Sequence, residues 1–331
     1  MNLIAETAWH HDGDFVFLKE LVLSILSKTE ADYIKFHVTL DYHEYVHTDH
    51  PGYEWIKGRI FSKGQWTEIF NLVLKANKKL MLLLNDTEAI EFGMKFNPEL
   101  VEIHSVCLND NVLLEKLNSQ TTQLTNIVLG VGGCSLYEIE NAMNLFDTNK
   151  IVLMHGFQNY PTKYEDINFS KIRRLMQLYP QYDHGYADHT AWGNENNVFI
   201  TLMGAALGMD YIEKHLTTVT GEGRTDWQAA ISFEKFIEIQ DKLKILTIAN
   251  GNGLLELNEG EKSYSTFGLM KKAAILNKDI PADNPIDIND FTFKRTGQNS
   301  DLSQLEVLSR VGQKSSKDLK KGHCLLIADF E

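Results

Sequence analysis

The sequence predicts a (β/α)₈ TIM barrel followed by a small β-rich module. Three observations favour this fold class. Short apolar runs with strand-forming residues recur along the chain, stretches with helical periodicity separate them, and a Gly/Asn-rich break, Asn250-Gly251-Asn252-Gly253, follows the last unit. Regular alternation of strands with helices is typical of a parallel barrel, whose reactive residues lie at the carboxyl ends of the strands.

Eight runs are predicted to be the strands of this barrel. In chain order they are Leu3–Ala8, Tyr33–His37, Leu80–Leu84, Leu100–Ser105, Asn126–Val131, Ile151–His155, His184–Ala187 and Tyr211–His215. An open doubly wound sheet gives a similar pattern but rarely needs eight evenly alternating units. The long, aromatic-rich segment 41–63 is predicted to be a loop over the barrel mouth.

The domain boundaries follow from where the alternation stops. The barrel is predicted over residues 1–248, a linker over 249–265 and the second module over 266–331. The last barrel helix is predicted over Phe233–Leu246. The second module is indicated by two prolines and two short runs, Pro281, Pro285, Phe291–Arg295 and Leu325–Ile327.

Composition narrows the class of protein. The chain has 331 residues, of which 43% are hydrophobic and 23% charged, enough apolar material for a real core. A net charge of −13 argues against a nucleic-acid partner. Three cysteines without paired spacing fit a reducing compartment. No signal peptide and no apolar run of about 18 residues is recognised, so we expect a cytoplasmic protein without a membrane partner.

Two histidines, His189 and His215, follow consecutive predicted strands. Because the ends of parallel strands meet at one edge of a barrel, a shared divalent metal is one interpretation, and a hydrogen-bonded role for each is the other. Further polar or glycine residues at predicted strand ends are Glu6, His11, Lys35, His37, Asn85, Asp86, Ser105, Gly132, Gly133, His155, Tyr160, Asp188 and Asp226.

Glu6 and Lys35 end the first two strands and allow several roles. Lys35 can bind an anionic substrate, form a Schiff base if desolvated, or extend to solvent. Glu6 can act as a general base or simply pair with Lys35. The run Gly130-Val131-Gly132-Gly133 before a helix that begins near Ser135 is typical of a phosphate loop, but also of ordinary loop geometry.

Several motifs together resemble the sialic acid synthase family, which includes the N-acetylneuraminate, legionaminate and pseudaminate synthases and similar spore-coat polysaccharide proteins. They are Ile4-Ala5-Glu6 with His11-Asp12-Gly13, Ile34-Lys35-Phe36, Tyr160-Pro161-Thr162, Gly185-Tyr186-Ala187-Asp188-His189-Thr190 and Ile212-Glu213-Lys214-His215. Lys294-Arg295-Thr296-Gly297 is similar to a motif of the family's C-terminal antifreeze-like (SAF) domain. The resemblance covers nearly the whole chain.

The resemblance implies a reaction, a cofactor and an assembly. Members condense phosphoenolpyruvate with an N-acetylated amino sugar, use a divalent metal and form domain-swapped dimers. The implied metal is Mn²⁺, with Mg²⁺, Co²⁺ or Zn²⁺ as alternatives, and the implied ligands are His189 and His215. The implied roles of the remaining residues are catalysis for Glu6 and Lys35, sugar contacts for Tyr160, Asp188, Asp226 and Arg295, and phosphate or carboxylate contacts for Ser105, Gln158 and Arg224.

The departures from the family pattern fall on the phosphoenolpyruvate side. Glu102 stands where the family has a second phosphoenolpyruvate lysine, Leu83-Leu84 replaces a Thr-Pro, Gly130 begins the run that replaces Ser-Thr-Gly-Met, and Ala187 replaces a serine. Each lost charge-assisted hydrogen bond costs about 1.5–3 kcal/mol. Arg224 and Lys163 are candidates for replacement contacts.

Three functions therefore remain open from sequence. The first is condensation of phosphoenolpyruvate with an amino sugar or related aldose, giving a 2-keto-3-deoxy sugar acid for surface polysaccharide biosynthesis. The second is a metal-dependent aldolase, lyase or epimerase reaction on a sugar acid without phosphoenolpyruvate. The third is a non-catalytic sugar-binding paralogue, which the joint presence of Glu6, Lys35, His189 and His215 disfavours.

Overall fold

The chain folds into two compact units, Met1–Gly251 and Asn252–Glu331. The structure is a computed structural model and describes residues 1–120, 125–146, 150–156 and 159–331. Each unit is described separately below.

Eight parallel strands of the first unit form a closed barrel in chain order. Their bounds are β1 Asn2–Glu6, β2 Tyr33–Val38, β3 Lys79–Leu84, β4 Leu100–Ile103, β5 Asn126–Gly130, β6 Ile151–His155, β7 Asp183–Ala187 and β8 Tyr211–His215. The barrel closes between β1 and β8, where Asn2 pairs with Tyr211 and Glu6 with His215. The predicted TIM barrel is thus confirmed.

Helices connect these strands, and polar caps fix where several of them begin. Their bounds are α1 Phe15–Lys28, α2 Tyr42–Tyr45, α3 Tyr53–Lys57, α4 Lys63–Lys75, α5 Thr87–Gly93, α6 Asn111–Gln120, α7 Leu136–Met143, α8 Tyr164–Ile167, α9 Phe169–Leu178, α10 Asn197–Ala205 and α11 Phe233–Asn250. Ser62 and Ser135 form capping boxes with Gln65 and Glu138, which satisfy N–H groups of the first turns of α4 and α7. Within the described residues, no helix is long and apolar enough to cross a membrane.

The alternation of the strands creates two apolar layers and one polar layer. Outward-facing strand residues pack with the helices in one large cluster. Inward-facing residues form a second cluster that fills the barrel: Ile4, Tyr33, Met81, Leu100, Val128, Val152, Met154, Ala187 and Tyr211. Successive inward positions lie two residues apart. Polar side chains therefore follow four of these apolar residues toward the carboxyl end, namely Glu6, Lys35, Glu102 and Glu213.

The second unit has its own small core and one antiparallel strand pair, β9 Ala273–Leu276 with β10 Phe291–Lys294. Its helices are α12 Glu259–Tyr264 and α13 Gln304–Ser309. The predicted strand-like run at Leu325–Ile327 is not a strand, because Ile327 already begins a short 3₁₀ turn. The Leu325 N–H instead donates to the carbonyl of Ala274, beside β9. The SAF character of this unit stays a prediction.

Candidate metal centre and substrate cavity

A cavity of about 330 Å³ opens at the carboxyl ends of the barrel strands. This volume lies at the lower end of the range for small-molecule sites. The described residues that line it are Glu6, Trp9, Lys35, His37, Tyr45, Leu83, Asn85, Glu102, His104, Ser105, Gly130, Gly132, Met154, His155, Tyr160, Ala187, His189, Glu213, His215 and Asp226.

Three buried side chains, Glu6, His189 and His215, form a group whose ligand atoms all lie within 4.8 Å of one another. Glu6 ends β1, His215 ends the neighbouring β8, and His189 follows β7 two residues after the strand end. Nε2 of His215 is 3.0 Å from Oε2 of Glu6. One carboxylate and two imidazoles suit a divalent ion such as Mn²⁺, Fe²⁺ or Zn²⁺. The residues therefore fit a metal ion.

The hydrogen bond made by His189 also suits a role as a metal ligand. Its Nδ1 is 3.0 Å from the carbonyl of Ala187, and since a carbonyl only accepts, Nδ1 carries the proton. The lone pair then lies on Nε2, as in metal-bound histidines whose other nitrogen donates to a carbonyl. Burial, followed by the charge of His215, lowers the pKa of His189 to about 3. The neutral imidazole needed for coordination is thus the stable form.

Lys35 lies at the centre of a buried carboxylate cluster on the cavity floor. Its Nζ is 2.8 Å from Oε2 of Glu102, 2.9 Å from Oε1 of Glu213 and 3.2 Å from Oε1 of Glu6. Burial alone would lower the pKa of Lys35, but the charges of Glu102, Glu213 and Glu6 outweigh it and hold this pKa well above its ordinary value. Lys35 is therefore an ammonium that already has three carboxyl partners.

The carboxylates of this cluster have different protonation behaviour. Lys35 and His215 outweigh the effect of burial on Glu6 and hold the pKa of Glu6 well below its ordinary value. Burial, and next the charge of Glu6, hold the pKa of Glu213 well above its ordinary value. Burial likewise raises the pKa of Glu102. Glu6 is therefore the anionic member, while Glu213 and Glu102 take up protons more readily.

Glu6 also orients a histidine that faces the cavity. Nε2 of His37 is 2.5 Å from Oε1 of Glu6. Because the Glu6 carboxylate accepts, His37 donates its Nε2 proton to it. This Glu–His pair can hold or move a proton beside the metal ligands.

The residues predicted to contact a sugar divide into two groups. Tyr160 and Asp226 both line the cavity, and the Tyr160 hydroxyl donates to the carbonyl of Asp226. The Tyr160 ring lies 5.7 Å from that of His189 and 5.9 Å from that of His215, measured between centroids. Tyr160 and Asp226 therefore adjoin the metal ligands.

Asp188 is not among the residues that line the cavity. Its side chain is fully buried, and its Oδ2 is 2.9 Å from Nζ of Lys214 and accepts from Thr201 at 2.6 Å. Its Oδ1 accepts from both the N–H and the hydroxyl of Thr190. The physical reason for this position is that Asp188 leaves the end of β7 toward the helix layer. In this structure Asp188 supports the loop that carries His189.

Arg224 is not among the described residues that line the cavity. Arg224 contacts Asp14 at 3.4 Å, and its guanidinium lies 3.6 Å from the ring centroid of Phe17. Arg295 belongs to the second unit, where its Nε donates to the carbonyl of Leu269 at 2.9 Å. Gln158 lies outside the described residues.

The predicted phosphate side is only partly polar. Ser105 lines the cavity, but so do Leu83, Gly130 and Ala187. A Cβ atom at Gly130 would come within 2.8 Å of the backbone nitrogen of Ser105. Because real Cβ contacts do not become this short, the backbone approach between β4 and β5 requires glycine here. A serine at this position would displace the segment that carries Ser105.

Several residues that line the cavity were not predicted from the sequence to be functional. Glu213 precedes His215 by two positions, so strand periodicity alone indicates that both face inward. His104 follows the short strand β4 and lines the cavity wall. Trp9 comes from a loop and Tyr45 from the single-turn helix α2, where periodicity gives no signal. The predicted loop over the mouth, segment 41–63, contributes Tyr45 and includes two short helices, α2 and α3.

A closed parallel barrel with titratable side chains at the strand ends is the class of architecture shared by TIM-barrel enzymes. Comparison with known families specifies it further. The model of the NeuB family matches residues 6–254. The chain therefore belongs to the NeuB family and is a divergent sialic acid synthase-like member.

Individual relatives are distant but similar in length. The N,N'-diacetyllegionaminic acid synthase of Legionella pneumophila is 23% identical, with 99% of this chain and 94% of the relative covered. The pseudaminic acid synthase of Campylobacter jejuni is 24% identical over 74% of this chain and 68% of the relative. A solved structure of a candidate spore coat polysaccharide biosynthesis protein E from Chromobacterium violaceum has a TM-score of 0.83 at 17% identity and 99% coverage of both chains.

Proposed function

We propose that this chain is a metal-dependent enzyme that activates the carbonyl group of a sugar or sugar acid in an aldolase, lyase or epimerase reaction without phosphoenolpyruvate. One observation supports the claim that the reaction does not use phosphoenolpyruvate. Glu102, where the resemblance expects a phosphoenolpyruvate lysine, faces the cavity and lies 2.8 Å from Lys35. The remaining cation of that half-site is thus already paired.

Electrostatics explains why this matters for substrate choice. Of the described residues that line the cavity, Lys35 supplies one ammonium, while Glu6, Glu102, Glu213 and Asp226 supply carboxyl groups. A trianionic substrate would have to displace carboxylates from Lys35 and remain beside them. Like charges at such separations repel strongly in a buried site. A neutral or singly charged sugar substrate avoids this cost.

The cavity residues have separate roles in the proposed reaction. A divalent ion held by Glu6, His189 and His215 would polarise a carbonyl oxygen and acidify the neighbouring C–H bond. His37, oriented by Glu6, accepts the proton from that carbon at Nδ1 and returns it. Tyr160 and Asp226 position the hydroxyl groups of the sugar. Protonated Lys35 lacks the lone pair that a Schiff base requires, so its role is to hold the carboxylates together.

The proposed chemistry has a common signature. Epimerase and lyase reactions of this kind remove a proton next to a carbonyl, and aldol cleavage forms an enolate that takes up a proton at the same carbon. Each reaction therefore introduces solvent hydrogen next to a carbonyl. We expect metal-dependent deuterium incorporation by NMR when the protein is incubated in D₂O with Mn²⁺ and a panel of 2-keto-3-deoxy sugar acids and amino sugars. His189→Ala should abolish the exchange. No exchange with any compound, with or without metal, would refute the proposal.

Condensation of phosphoenolpyruvate with an amino sugar, as a step of surface polysaccharide biosynthesis, is the second candidate. Membership of the NeuB family and the Legionella relative, a named synthase, favour it. Lys35 and Ser105 still line the cavity. Phosphate released only in the presence of Mn²⁺, phosphoenolpyruvate and a sugar would establish this candidate instead of the first.

We also propose that the second unit is an SAF domain and that the protein forms a domain-swapped homodimer in the cytoplasm. The support is the resemblance at Lys294-Arg295-Thr296-Gly297 and the exposed position of Arg295. Light scattering after gel filtration should give twice the mass of the chain. In the swapped dimer, Arg295→Ala should weaken sugar binding, whereas Arg310→Ala on the same unit should not. A monomer of full metal affinity would refute the dimer.

A further inference from the structure

The mouth of the cavity carries aromatic side chains that the proposed chemistry does not use. Trp9 and Tyr45 both line the cavity and are partly exposed. Trp9 lies in the loop after β1, and Tyr45 ends α2 in the segment 41–63. Both rings thus add apolar surface to a lining that also holds charged groups such as Glu6 and Lys35.

Trp9 is held in place from several sides. The centroid of its ring lies 5.4 Å from that of Trp55 and 6.0 Å from that of His37. The backbone N–H of Trp9 donates to Oδ2 of Asp226 at 3.0 Å. This bond fixes the main chain that carries the indole to a cavity residue proposed to contact the sugar.

Trp55 is itself fixed by a cation and an ion pair. The guanidinium of Arg59 lies 4.3 Å from the ring centroid of Trp55 and donates to its carbonyl at 2.9 Å. Arg59 also pairs with Oδ1 of Asp12 at 2.8 Å, and the Thr225 hydroxyl donates to the same carboxylate. The segment 41–63 is thereby tied to the loops after β1 and β8. The indole of Trp9 is pre-organised, so little conformational entropy is lost when a ligand covers it.

We infer that Trp9 is a specificity-determining residue whose indole face packs against the C–H face of a carbohydrate bound in the cavity. An indole face carries partial negative charge, and the C–H bonds of a sugar present partial positive charge and apolar area. The hydroxyl groups of the same sugar then face Asp226 and the metal ligands. The inference rests on the proposed function, because it names how the sugar of that reaction is held.

Replacement of Trp9 should change the affinity for a sugar but not the affinity for Mn²⁺. With Mn²⁺ present, D-mannose, D-glucose and N-acetyl-D-mannosamine serve as probes, and dissociation constants are measured by calorimetry. Trp9→Ala should weaken the probe that the wild type binds best by about tenfold, the scale of a lost aromatic contact. Trp9→Phe keeps an aromatic face and should stay within about threefold. Mn²⁺ affinity should be unchanged in both variants.

A matched control and a spectroscopic readout separate contact from general structure. Tyr53→Ala removes an aromatic side chain from α3, outside the cavity lining, and should leave sugar binding unchanged. In saturation-transfer NMR, irradiation of indole protons should reach the sugar C–H protons in the wild type but much less in Trp9→Phe. Five tryptophans are present, so the Trp9 variant is the reference for the signal.

The outcomes distinguish the inference from the proposed function. Sugar binding by the wild type that changes less than twofold in Trp9→Ala would overturn the inference and leave the proposed function standing. A wild type that binds none of the probes with Mn²⁺ would overturn the inference, and the deuterium-exchange assay would then decide the proposed function separately. Loss of binding in Trp9→Ala together with loss of Mn²⁺ affinity would also count against it, since the residue would then act through the metal site.

Discussion

Glu102 and Lys35 form a buried ion pair, with Oε2 of the glutamate 2.8 Å from Nζ of the lysine. Both side chains are almost completely buried, with 4% and 3% of their surface exposed. Glu102 stands at a position where the resemblance expects a lysine. At the end of β4, a negative side chain therefore stands where the resemblance expects a positive one. A candidate anion site thus becomes a cluster whose charged groups are paired with one another, and the function we propose depends on this difference.

Replacing Lys35 with methionine should strongly destabilise the barrel. Three carboxylates would lose their buried cation, and an uncompensated buried charge costs about 3–5 kcal/mol. Glu102→Gln leaves Lys35 with Glu6 and Glu213 and should cost less, about 1–2 kcal/mol. The free energy of unfolding in urea measures both. A Lys35→Met variant as stable as the wild type at pH 7 would contradict the ion-pair cluster.

Metal affinity should depend on His189 and His215 far more than on other cavity histidines. His189→Ala and His215→Ala each remove a proposed ligand, so we expect Mn²⁺ affinity to fall by at least about 100-fold, beyond the usual effect of outer residues. His104→Asn, also in the cavity lining, is the control and should change it little. Calorimetric titration with Mn²⁺ gives the comparison. Equal losses in all three variants would argue against a defined ligand set.

Acid should destabilise the protein partly through His11, which is 1% exposed. Burial, followed by the charge of His37, lowers the pKa of His11 to about 3. In the unfolded chain, His11 has a pKa near 6.5 and is protonated at a higher pH than in the folded protein. The free energy of unfolding therefore falls as the pH drops from about 6.5 toward 3. At pH 5 the difference amounts to about 2 kcal/mol.

The variant His11→Phe isolates this contribution. The free energy of unfolding should fall by about 2 kcal/mol less between pH 7.5 and pH 5 than in the wild type. A constant loss from the missing hydrogen bond between Gly13 N–H and Nδ1 of His11 does not affect that difference. His43→Phe, at an exposed position, should keep the wild-type slope. An unchanged slope in His11→Phe would show that His11 is protonated in the folded protein.

Asp188 should prove structural rather than substrate-binding. Asp188→Asn would leave the Lys214 ammonium, which is fully buried, without a carboxylate partner. We expect a loss of about 3–5 kcal/mol in the free energy of unfolding and partial recovery in the double variant Asp188→Asn, Lys214→Met. Affinity for Mn²⁺ and for sugar should change little at a temperature where the variant is folded. A selective loss of sugar affinity with normal stability would restore the role expected from sequence.

The fold was largely predictable because a barrel repeats a simple signal. Each strand is a short apolar run, and its end is marked by a polar residue such as Glu6 or His215. The candidate metal ligands His189 and His215 were selected for the same reason, since strand ends meet at one edge, and the structure brings them together with Glu6. The end of β1 was predicted two residues too late, because Thr7 and Ala8 still suit a strand although β1 ends at Glu6.

The rest depended on information that periodicity does not carry. Asp188 was predicted from its position at a strand end, but it faces Lys214 because Ala187, one residue earlier, faces the barrel interior. Trp9 and Tyr45 reach the cavity from the segments after β1 and β2, whose conformation depends on contacts such as that between Arg59 and Asp12. The sequence showed that Glu102 departs from the family pattern. Its pairing with Lys35 could not be predicted, because it depends on the register between strands β2, β3 and β4.

The most direct test of the proposed function is a paired assay on the wild-type protein with Mn²⁺. One arm follows deuterium incorporation next to the carbonyl of sugar acids and amino sugars in D₂O. The other follows phosphate released from phosphoenolpyruvate with the same amino sugars. We predict metal-dependent exchange and no sugar-dependent phosphate release. Phosphate release that requires both the sugar and the metal would contradict the claim that phosphoenolpyruvate is not the substrate.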